Sequence, residues 1–376
     1  MRASLLGFVV FVATGATAAA ATRQPAFDET ELVSGTVLAL ALPDAPVVVP
    51  TADEAFALDA EMQEFVAPLK GIREPRQRMQ ALIAALEARG MFSLDYAEVT
   101  RTAPGTFHDR QGNCLSFTML FVSLARAVGL SANYQSVVVP PTWSNDGQVV
   151  VANHVNTAVI TGRGEETVVD FNLRPYQSDH RSRRVNDSYA LGLFYVNLGA
   201  EAMLRDNHAA ALVYLREAAR VRPDIAGVWV NLGVLYARHG RYEHAEASYL
   251  RALDVDADEP SAMTNLSLVY QALGEPKLAA EYLKRVQGYR ERNPYYHFAS
   301  ATKAYEEQQF DVALTSLRKA LRLKPDEGDF YELRGQVEAA LGKSRDATQS
   351  FERARVYAEA EQVRARSPAE LGLALH

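Results

Sequence analysis

The residues that could do chemistry in this 376-residue chain centre on its only cysteine, Cys114. The cysteine follows the turn residues Gly112 and Asn113 and precedes a run with helical spacing of apolar residues. A thiol at the start of a helix faces unpaired N–H groups, and the helix dipole favours its nucleophilic thiolate form. A buried, unreactive core cysteine is the alternative interpretation. The choice between the two depends on whether a base reaches the sulfur.

A base and an orienting carboxylate follow at suitable places. His154 lies in a predicted strand 40 residues after Cys114, and Asp170 ends the next predicted strand 16 residues later. A cysteine nucleophile needs a base, and that base needs a partner that fixes its orientation. Two adjacent antiparallel strands place a histidine beside an aspartate, with the cysteine helix packed against them. The order of the three residues on helix, strand and strand is therefore a more specific signal than any one of them.

The elements that must carry these side chains form an α+β domain, predicted over residues 61–177. Helical spacing and a Thr51–Glu54 capping pattern predict a helix over 52–66, and a second helix is predicted over 75–88. The cysteine helix ends at Gly129. Period-two patterns then predict three strands, at 132–139, 149–160 and 167–171. Residues 22–60 are predicted to be an extended N-terminal segment, with short strands at 38–42 and 47–49.

The second half of the chain repeats with a period of 34 residues. Small residues recur at Gly199 and Gly233 and at Ala211 and Ala245, and weaker copies follow to about residue 356. Each unit leaves an apolar face that only its neighbour covers, so the units stack into an all-α solenoid. This pattern resembles the tetratricopeptide repeat (TPR). It predicts about five repeats and a polar capping helix at about 357–366 within residues 191–366, followed by a tail at 367–376.

The N-terminus has the features of a secretory signal peptide. Arg2 precedes the apolar run 5–12 and a stretch of small residues at 13–21, with cleavage predicted after residues 19–21. An uncleaved anchor is the alternative. The interpretation predicts an exported, periplasmic protein with no transmembrane segment after cleavage. A single thiol in an oxidising compartment is a liability unless it is buried or used.

Composition excludes several function classes. The net charge of −7 argues against general nucleic-acid binding, and no glycine-rich phosphate loop is present. The histidines and carboxylates show no metal-ligand spacing, so we expect no metal and no cofactor. Residues 178–188 are polar and basic, which indicates an interdomain linker over 178–190 or, alternatively, a docking site for an anion. His108 and Trp143 are each read as a cleft residue or as an ordinary loop residue.

The run from Arg110 through Gly112 and Cys114 to Gly129 resembles the transglutaminase-like domain of the papain-like cysteine superfamily. Asn153-His154 and Val169-Asp170 match that family's histidine and aspartate positions, while Asn156 stands where the family often has an aromatic residue. The resemblance implies that Cys114 is the nucleophile, His154 the base and Asp170 the orienting residue. It covers about residues 60–175, and its combination with a repeat array resembles exported bacterial proteins.

Two functions compete on this basis. The first is an exported thiol enzyme that hydrolyses peptide or isopeptide amides, or transfers their acyl groups, while the repeats dock a protein partner. In that mechanism the N–H group of Cys114 and a second donor stabilise the oxyanion, with Gln111 and Asn113 as candidates for the second donor. The alternative is a catalytically inactive transglutaminase-like scaffold that serves as a TPR adaptor in an envelope protein assembly.

Overall fold

The N-terminal half of the protein consists of helices followed by a small sheet. The computed structural model describes residues 26–39, 42, 46–89, 99–138, 142–143, 149–150, 153–161, 165–170 and 182–365. The predicted signal peptide and the tail lie outside these residues. The helices of this half are α1 (Glu29–Ser34), α2 (Thr36–Ala39), α3 (Ala52–Phe56), α4 (Ala60–Val66), a 3-10 turn (Ala67–Gly71), α5 (Pro75–Ala88), α6 (Ala103–Asp109) and α7 (Cys114–Ala127).

The predicted helix over 52–66 is two helices in the structure. The Thr51–Glu54 capping box starts α3 as expected, but that helix ends at Phe56. Asp59 then starts α4, because its carboxylate accepts a hydrogen bond from the N–H of Met62. A second cap inside one apolar pattern divides it into two helices. The predicted helix over 75–88 is present with those bounds, and it buries Met79, Leu82 and Leu86.

The extended N-terminal segment predicted over 22–60 is wrong where it carries α1 and α2. Residues 36–39 are helical, which contradicts the strand predicted to begin at residue 38, and residues 46–50 have no regular secondary structure. Asp28 caps α1, and the carbonyl of Leu32 accepts a 2.7 Å hydrogen bond from the Tyr236 hydroxyl. These helices are therefore held by the repeat helices against which Leu32 and Leu38 are buried. The local sequence pattern does not predict these long-range contacts.

The strands that follow confirm the α+β class. They are β1 (Ser131–Val138), β2 (Thr142–Trp143), β3 (Val149–Val150), β4 (Asn153–Thr161), β5 (Glu165–Val169) and β6 (Ser182–Val185). Among the described residues, four strands form an antiparallel sheet in the order β5-β4-β1-β6, and β2 pairs with β3. The linker predicted at 178–190 is wrong for residues 182–185, because β6 pairs with β1 along its whole length. Arg183 within β6 lies 4.8 Å over the Tyr189 ring.

The repeat half forms five pairs of helices in the described part of the chain. They are α8 (Asp187–Leu204) with α9 (His208–Val221), α10 (Ala226–Arg238) with α11 (Tyr242–Val255), α12 (Pro260–Ala272) with α13 (Pro276–Arg292), α14 (Pro294–Glu306) with α15 (Phe310–Leu323), and α16 (Gly328–Ala340) with α17 (Ser344–Ala365). The separate capping helix predicted at 357–366 is instead the continuation of α17. Five helix pairs are the number that about five repeats would give.

Glycine is required where the two helices of a repeat cross. A Cβ atom at Gly233 would lie 2.5 Å from the Tyr249 ring, and one at Gly335 would lie 2.6 Å from the Phe351 ring. Real Cβ atoms do not approach other heavy atoms so closely, so the small residue allows the partner aromatic ring to fill the gap. The sequence predicted this role for Gly233 in the second repeat, and the fifth repeat uses the same contact.

The buried apolar residues fall into two clusters. The first core runs from Leu32 to Val286 and joins the N-terminal helices, α7, the sheet and helices α8 to α13. The second core runs from Ala301 to Ala354 and belongs to helices α14 to α17. The first three repeats are therefore continuous with the N-terminal domain, whereas the last two repeats have a core of their own. None of the helices in the described ranges has the length and apolar character needed to cross a membrane.

Candidate active site

The structure places Cys114 at the first position of α7. Asn113 is the N-cap, and its side-chain oxygen accepts hydrogen bonds from the N–H and the hydroxyl of Ser116, both at 3.0 Å. Gly112 precedes the cap in a space that excludes larger residues, since a Cβ there would lie 2.7 Å from the Ser116 Cβ. The cysteine is partly exposed. By helix geometry, the N–H groups of Cys114 and Leu115 have no intrahelical acceptor, so they are available to a charge that develops there.

His154 and Asp170 are brought together by two paired strands. His154 lies near the start of β4, and Asp170 directly follows β5, which pairs with β4 in antiparallel register. The His154 Nε2 atom lies 2.6 Å from the Asp170 Oδ2 atom. Both side chains are largely buried, with 7% of the histidine and 11% of the aspartate exposed. The predicted neighbours therefore form a buried, hydrogen-bonded pair.

The electrostatics of His154 reflect both burial and its two partners. Burial by itself lowers the pKa of the imidazole, because it penalises the charged form. The hydrogen bond to Asp170, together with interactions with Asp170 and Cys114 that favour the charged imidazole, outweighs burial and raises the pKa to about 9. Because Nε2 faces Asp170, Nδ1 is the ring nitrogen left for a further partner. At neutral pH the ring is an imidazolium paired with a carboxylate.

Two residues that the sequence reasoning did not assign hold this arrangement. The side-chain amide of Asn156, which is fully buried, donates a 3.1 Å hydrogen bond to Asp170 Oδ2, the oxygen that also meets His154. The Thr118 hydroxyl lies 2.7 Å from the Cys114 carbonyl oxygen and 3.0 Å from the Val155 carbonyl oxygen. It therefore fastens the first turn of α7 to β4.

Sequence signals for both residues existed. Asn156 is two residues after His154 and thus on the same face of the strand, and Thr118 is one helical turn after Cys114.

The two candidate oxyanion donors are placed differently. The Asn113 side chain is engaged in the cap through its oxygen, and its amide donates a 2.7 Å hydrogen bond to the Thr100 hydroxyl. Gln111 is exposed on the loop before the cap. The backbone N–H groups of the first turn of α7 are therefore the donors that the fold presents beside the sulfur. The roles of Gln111 and Asn113 in catalysis remain predictions.

The remaining residues singled out from the sequence lie in other surroundings. His108, in α6, is half exposed, and its Nε2 atom lies 2.6 Å from Asp59 Oδ2. Trp143 belongs to β2, where it pairs in register with Val149. His208 and His239 contact each other in the repeats at 2.9 Å. In the described ranges, no three His, Cys, Asp or Glu side chains are grouped so that they could hold a metal ion.

A polar groove of about 690 Å³ lies where the sheet meets the repeats. The sheet contributes Ser136 and Arg183, and the repeats contribute Asn197 and Asn231 together with acidic residues such as Glu259. Asn197 and Asn231 occupy the same position in α8 and α10, one repeat apart, so they present two amide groups along one line. Burial raises the pKa of Glu259 above its ordinary value. The groove is therefore built by both halves of the chain.

Protein-family models match both halves of the chain. Residues 63–232 match the transglutaminase-like superfamily, and residues 226–258, 260–293 and 298–363 match three tetratricopeptide-repeat models. The chain carries a transglutaminase-like domain followed by tetratricopeptide repeats. The family and fold class predicted from the sequence are confirmed. The transglutaminase-like match continues past the predicted boundary at residue 177 and includes α8, α9 and part of α10.

Curated relatives match over part of their length. Anaphase-promoting complex subunit 3 of Schizosaccharomyces pombe is 23% identical over 157 residues, which are 42% of this chain and 24% of that protein. The type IV pilus assembly protein PilF of Pseudomonas aeruginosa is 27% identical over 134 residues, which are 35% of this chain and 53% of that protein. The chain thus spans about a quarter to about half of the length of these relatives.

Two solved structures are similar to part of this chain. YrrB, described as a TPR protein with an unusual peptide-binding site, is 20% identical and covers 48% of this chain and 92% of its own, with a TM-score of 0.26. MamA of Desulfovibrio magneticus is 19% identical and covers 45% of this chain and 96% of its own, also with a TM-score of 0.26. Likeness at this level carries no argument about what the chain binds.

Proposed function

We propose that the protein is a thiol enzyme of the transglutaminase-like type that acts on peptide or isopeptide amides, with a repeat array that docks a protein partner. One observation carries this proposal: His154 is hydrogen-bonded to Asp170 through Nε2, and the same imidazole interacts with Cys114, an interaction that helps to raise its pKa. This is the arrangement that a nucleophile, a base and an orienting carboxylate require. A cysteine buried only for packing would not need a protonated imidazole beside it.

The chemistry follows from the positions of the protons. The Cys114 thiolate attacks the amide carbonyl carbon, and a C–S bond forms while the carbonyl oxygen takes negative charge. The N–H groups at the start of α7 stabilise that oxyanion, an effect worth about 3 kcal/mol per donor in comparable sites. The His154 imidazolium gives its proton to the leaving amine as the C–N bond breaks. Water or a second amine, deprotonated by His154, then attacks the thioester and releases Cys114.

The test uses the fact that Cys114 is the only thiol. Iodoacetamide at pH 6 should alkylate the folded protein at least tenfold faster than a small model thiol, because the attacking species of a catalytic cysteine–histidine pair is the thiolate. His154→Ala should reduce the rate to that of the model thiol. Ala substitution of His239, a partly buried histidine of the repeats, is the control and should leave the rate unchanged. Slow alkylation that is indifferent to His154 would refute the catalytic proposal.

The groove favours a second candidate function, the adaptor. Because sheet and repeats both line it, the transglutaminase-like domain contributes to a docking surface whether or not Cys114 reacts. Under this reading, Cys114→Ala leaves partner capture by the full chain unchanged, while Asn197→Ala with Asn231→Ala weakens it. Under the enzyme reading, Cys114→Ala abolishes turnover of the captured partner. A partner that is captured equally by the double Asn variant would exclude the groove as the docking surface.

Export to the periplasm is part of the proposal and rests on the sequence of residues 1–21. Mass spectrometry of the protein isolated from cells reads the N-terminus directly. We expect a mature chain that begins after one of residues 19–21, and an intact N-terminus on protein recovered from the cytoplasm would contradict export.

A further inference from the structure

A carboxylate of the first repeat reaches into the domain that holds the nucleophile. Glu201, near the end of α8, accepts a 2.7 Å hydrogen bond from the backbone N–H of Thr100. Its other oxygen lies 2.8 Å from the Arg205 guanidinium, and only 12% of the Glu201 side chain is exposed. The two partners are far apart in sequence, so this bond joins the repeat array to the segment that precedes α6.

Thr100 is in turn hydrogen-bonded to the helix cap beside the nucleophile. The Thr100 hydroxyl accepts a 2.7 Å hydrogen bond from the side-chain amide of Asn113, and the Asn113 N–H donates to the Val99 carbonyl at 3.1 Å. Asn113 is the N-cap of α7 and the residue directly before Cys114. The path of hydrogen bonds from Glu201 through Thr100 therefore ends one residue from the sulfur.

A second hydrogen bond connects residues 99–101 to the first turn of α7, and we call this segment the clamp. The N–H of Arg101 donates a 2.9 Å hydrogen bond to the hydroxyl of Ser116, which is fully buried. Residues 99–101 thus hold the start of α7 through Asn113 and Ser116. The Thr100 residue is itself 6% exposed. A backbone N–H in such surroundings needs an acceptor, and Glu201 supplies it.

We propose that Glu201 is a positioning residue for Cys114, an inference that rests on the proposed thiol chemistry. Glu201 acts through Thr100 and Asn113, and it has no contact with the reacting atoms. Misplacement of a reacting group by about 1 Å can cost about a hundredfold in rate, so a clamp at this point matters even though its effect is indirect. The first repeat helix, α8, then helps to position the nucleophile.

The experiment compares two substitutions at one position in the full chain. Glu201→Leu removes the acceptor for the Thr100 N–H, whereas Glu201→Gln keeps an oxygen there and removes only the charge. The readout is the rate of Cys114 alkylation by iodoacetamide from pH 5 to pH 10. Glu201→Leu should slow alkylation at pH 6 about tenfold and move the profile toward that of a model thiol. Glu201→Gln should stay within about twofold of the wild type at every pH.

A matched control separates positioning from general loss of the interface. Asp187 lies on the same helix and pairs with Arg126 at 2.7 and 2.9 Å, at the end of α7 opposite to Cys114. Asp187→Asn should lower the stability of the interface and leave the alkylation profile in place. A Glu201→Leu profile equal to the wild type, or an Asp187→Asn profile shifted as far as that of Glu201→Leu, would overturn the positioning role.

Failure of the proposed function can be distinguished from failure of the positioning role. If wild-type Cys114 reacts no faster than a model thiol, the thiol chemistry is refuted. Hydrogen exchange of the Thr100 amide then tests whether Glu201 holds the segment 99–101. Faster exchange in Glu201→Leu than in Glu201→Gln supports the clamp. Equal exchange in the two variants overturns it.

Discussion

The first three repeats and the last two share one architecture but have different neighbours. Helices α8 to α13 belong to the first core, which also contains α7 and the sheet, whereas α14 to α17 enclose the second core. The 34-residue spacing of helix starts continues across the boundary at Asn293 without an insertion. The same repeat unit is therefore used in two ways. In the first core it supports a candidate active site, and in the second it extends the array.

The difference shows that the boundary between the domains is not where the sequence pattern changes. The repeat pattern begins near residue 192, but α8 is tied to the N-terminal domain at both ends, by Asp187 to Arg126 and by Glu201 to Thr100. The boundary between separate cores lies about a hundred residues later. We therefore expect two unfolding units that divide after α13 and not after the sheet.

The largest effect is expected from removing the same buried ring from each unit. Phe194 and Phe330 hold the same position in the first and fifth repeats and are 1% and 0% exposed. Replacing either with alanine should cost about 4 kcal/mol. Trp229 is buried in the first core, whereas β2, which carries Trp143, contacts α14. In a Trp143→Phe background, fluorescence therefore follows the first unit while circular dichroism follows all helices.

The two alanine variants should affect the fluorescence and circular-dichroism transitions differently. Phe194→Ala should lower the urea midpoint read by fluorescence. Phe330→Ala should leave that midpoint unchanged and lower only part of the circular-dichroism transition. If Phe330→Ala moves the fluorescence midpoint as far as Phe194→Ala does, the molecule unfolds as one unit and the division into two is wrong.

A smaller effect should depend on pH and appear in the first unit alone. His154 has a folded pKa of about 9, above its ordinary value, so its protonated form stabilises the native state. That stabilisation is complete below about pH 6.5 and is lost as the pH rises through 9, about 3 kcal/mol in all. The free energy of unfolding read by tryptophan fluorescence should fall over this range.

His154→Gln is the control for this titration, since glutamine carries no proton to lose. Its fluorescence-detected stability should change by less than 1 kcal/mol between pH 6.5 and 9, whereas the wild type, which keeps His154, should lose about 3 kcal/mol. An equal fall in the His154→Gln protein would assign the pH dependence to other groups.

The smallest effect tests the close helix crossing in both units. Alanine at Gly233 or Gly335 adds a Cβ that meets Tyr249 or Phe351 at about the same short distance. Alanine favours a helix by about 1 kcal/mol over glycine, but overpacking costs about 1–3 kcal/mol, so we expect a net loss of up to about 2 kcal/mol. Gly233→Ala should shift the fluorescence midpoint, and Gly335→Ala should not. A stabilised variant in either unit would show that the ring moves aside without cost.

Much of this arrangement was predictable from local patterns. The repeat period, the start of α5 at Pro75 and the start of α7 after Asn113 follow from caps and apolar spacing within a few residues of each element. The pairing of His154 with Asp170 followed from two adjacent strands. The helices at 29–39 and the strand at 182–185 were not predicted, because each is held by contacts with residues far away in sequence, such as Tyr236 for Leu32 and β1 for β6.

The sequence by itself determined the two fold types, the five repeats and the order of cysteine, histidine and aspartate, because each depends on residue type at short, regular spacing. Tertiary structure alone decided that Asn156 shares Asp170 with His154, that Thr118 ties the cysteine helix to β4, and that Glu201 of a repeat supports the cap beside Cys114. These contacts join segments that the backbone brings together only after folding. A buried donor forms its hydrogen bond with whichever acceptor the fold supplies, and no local sequence pattern specifies which acceptor that is.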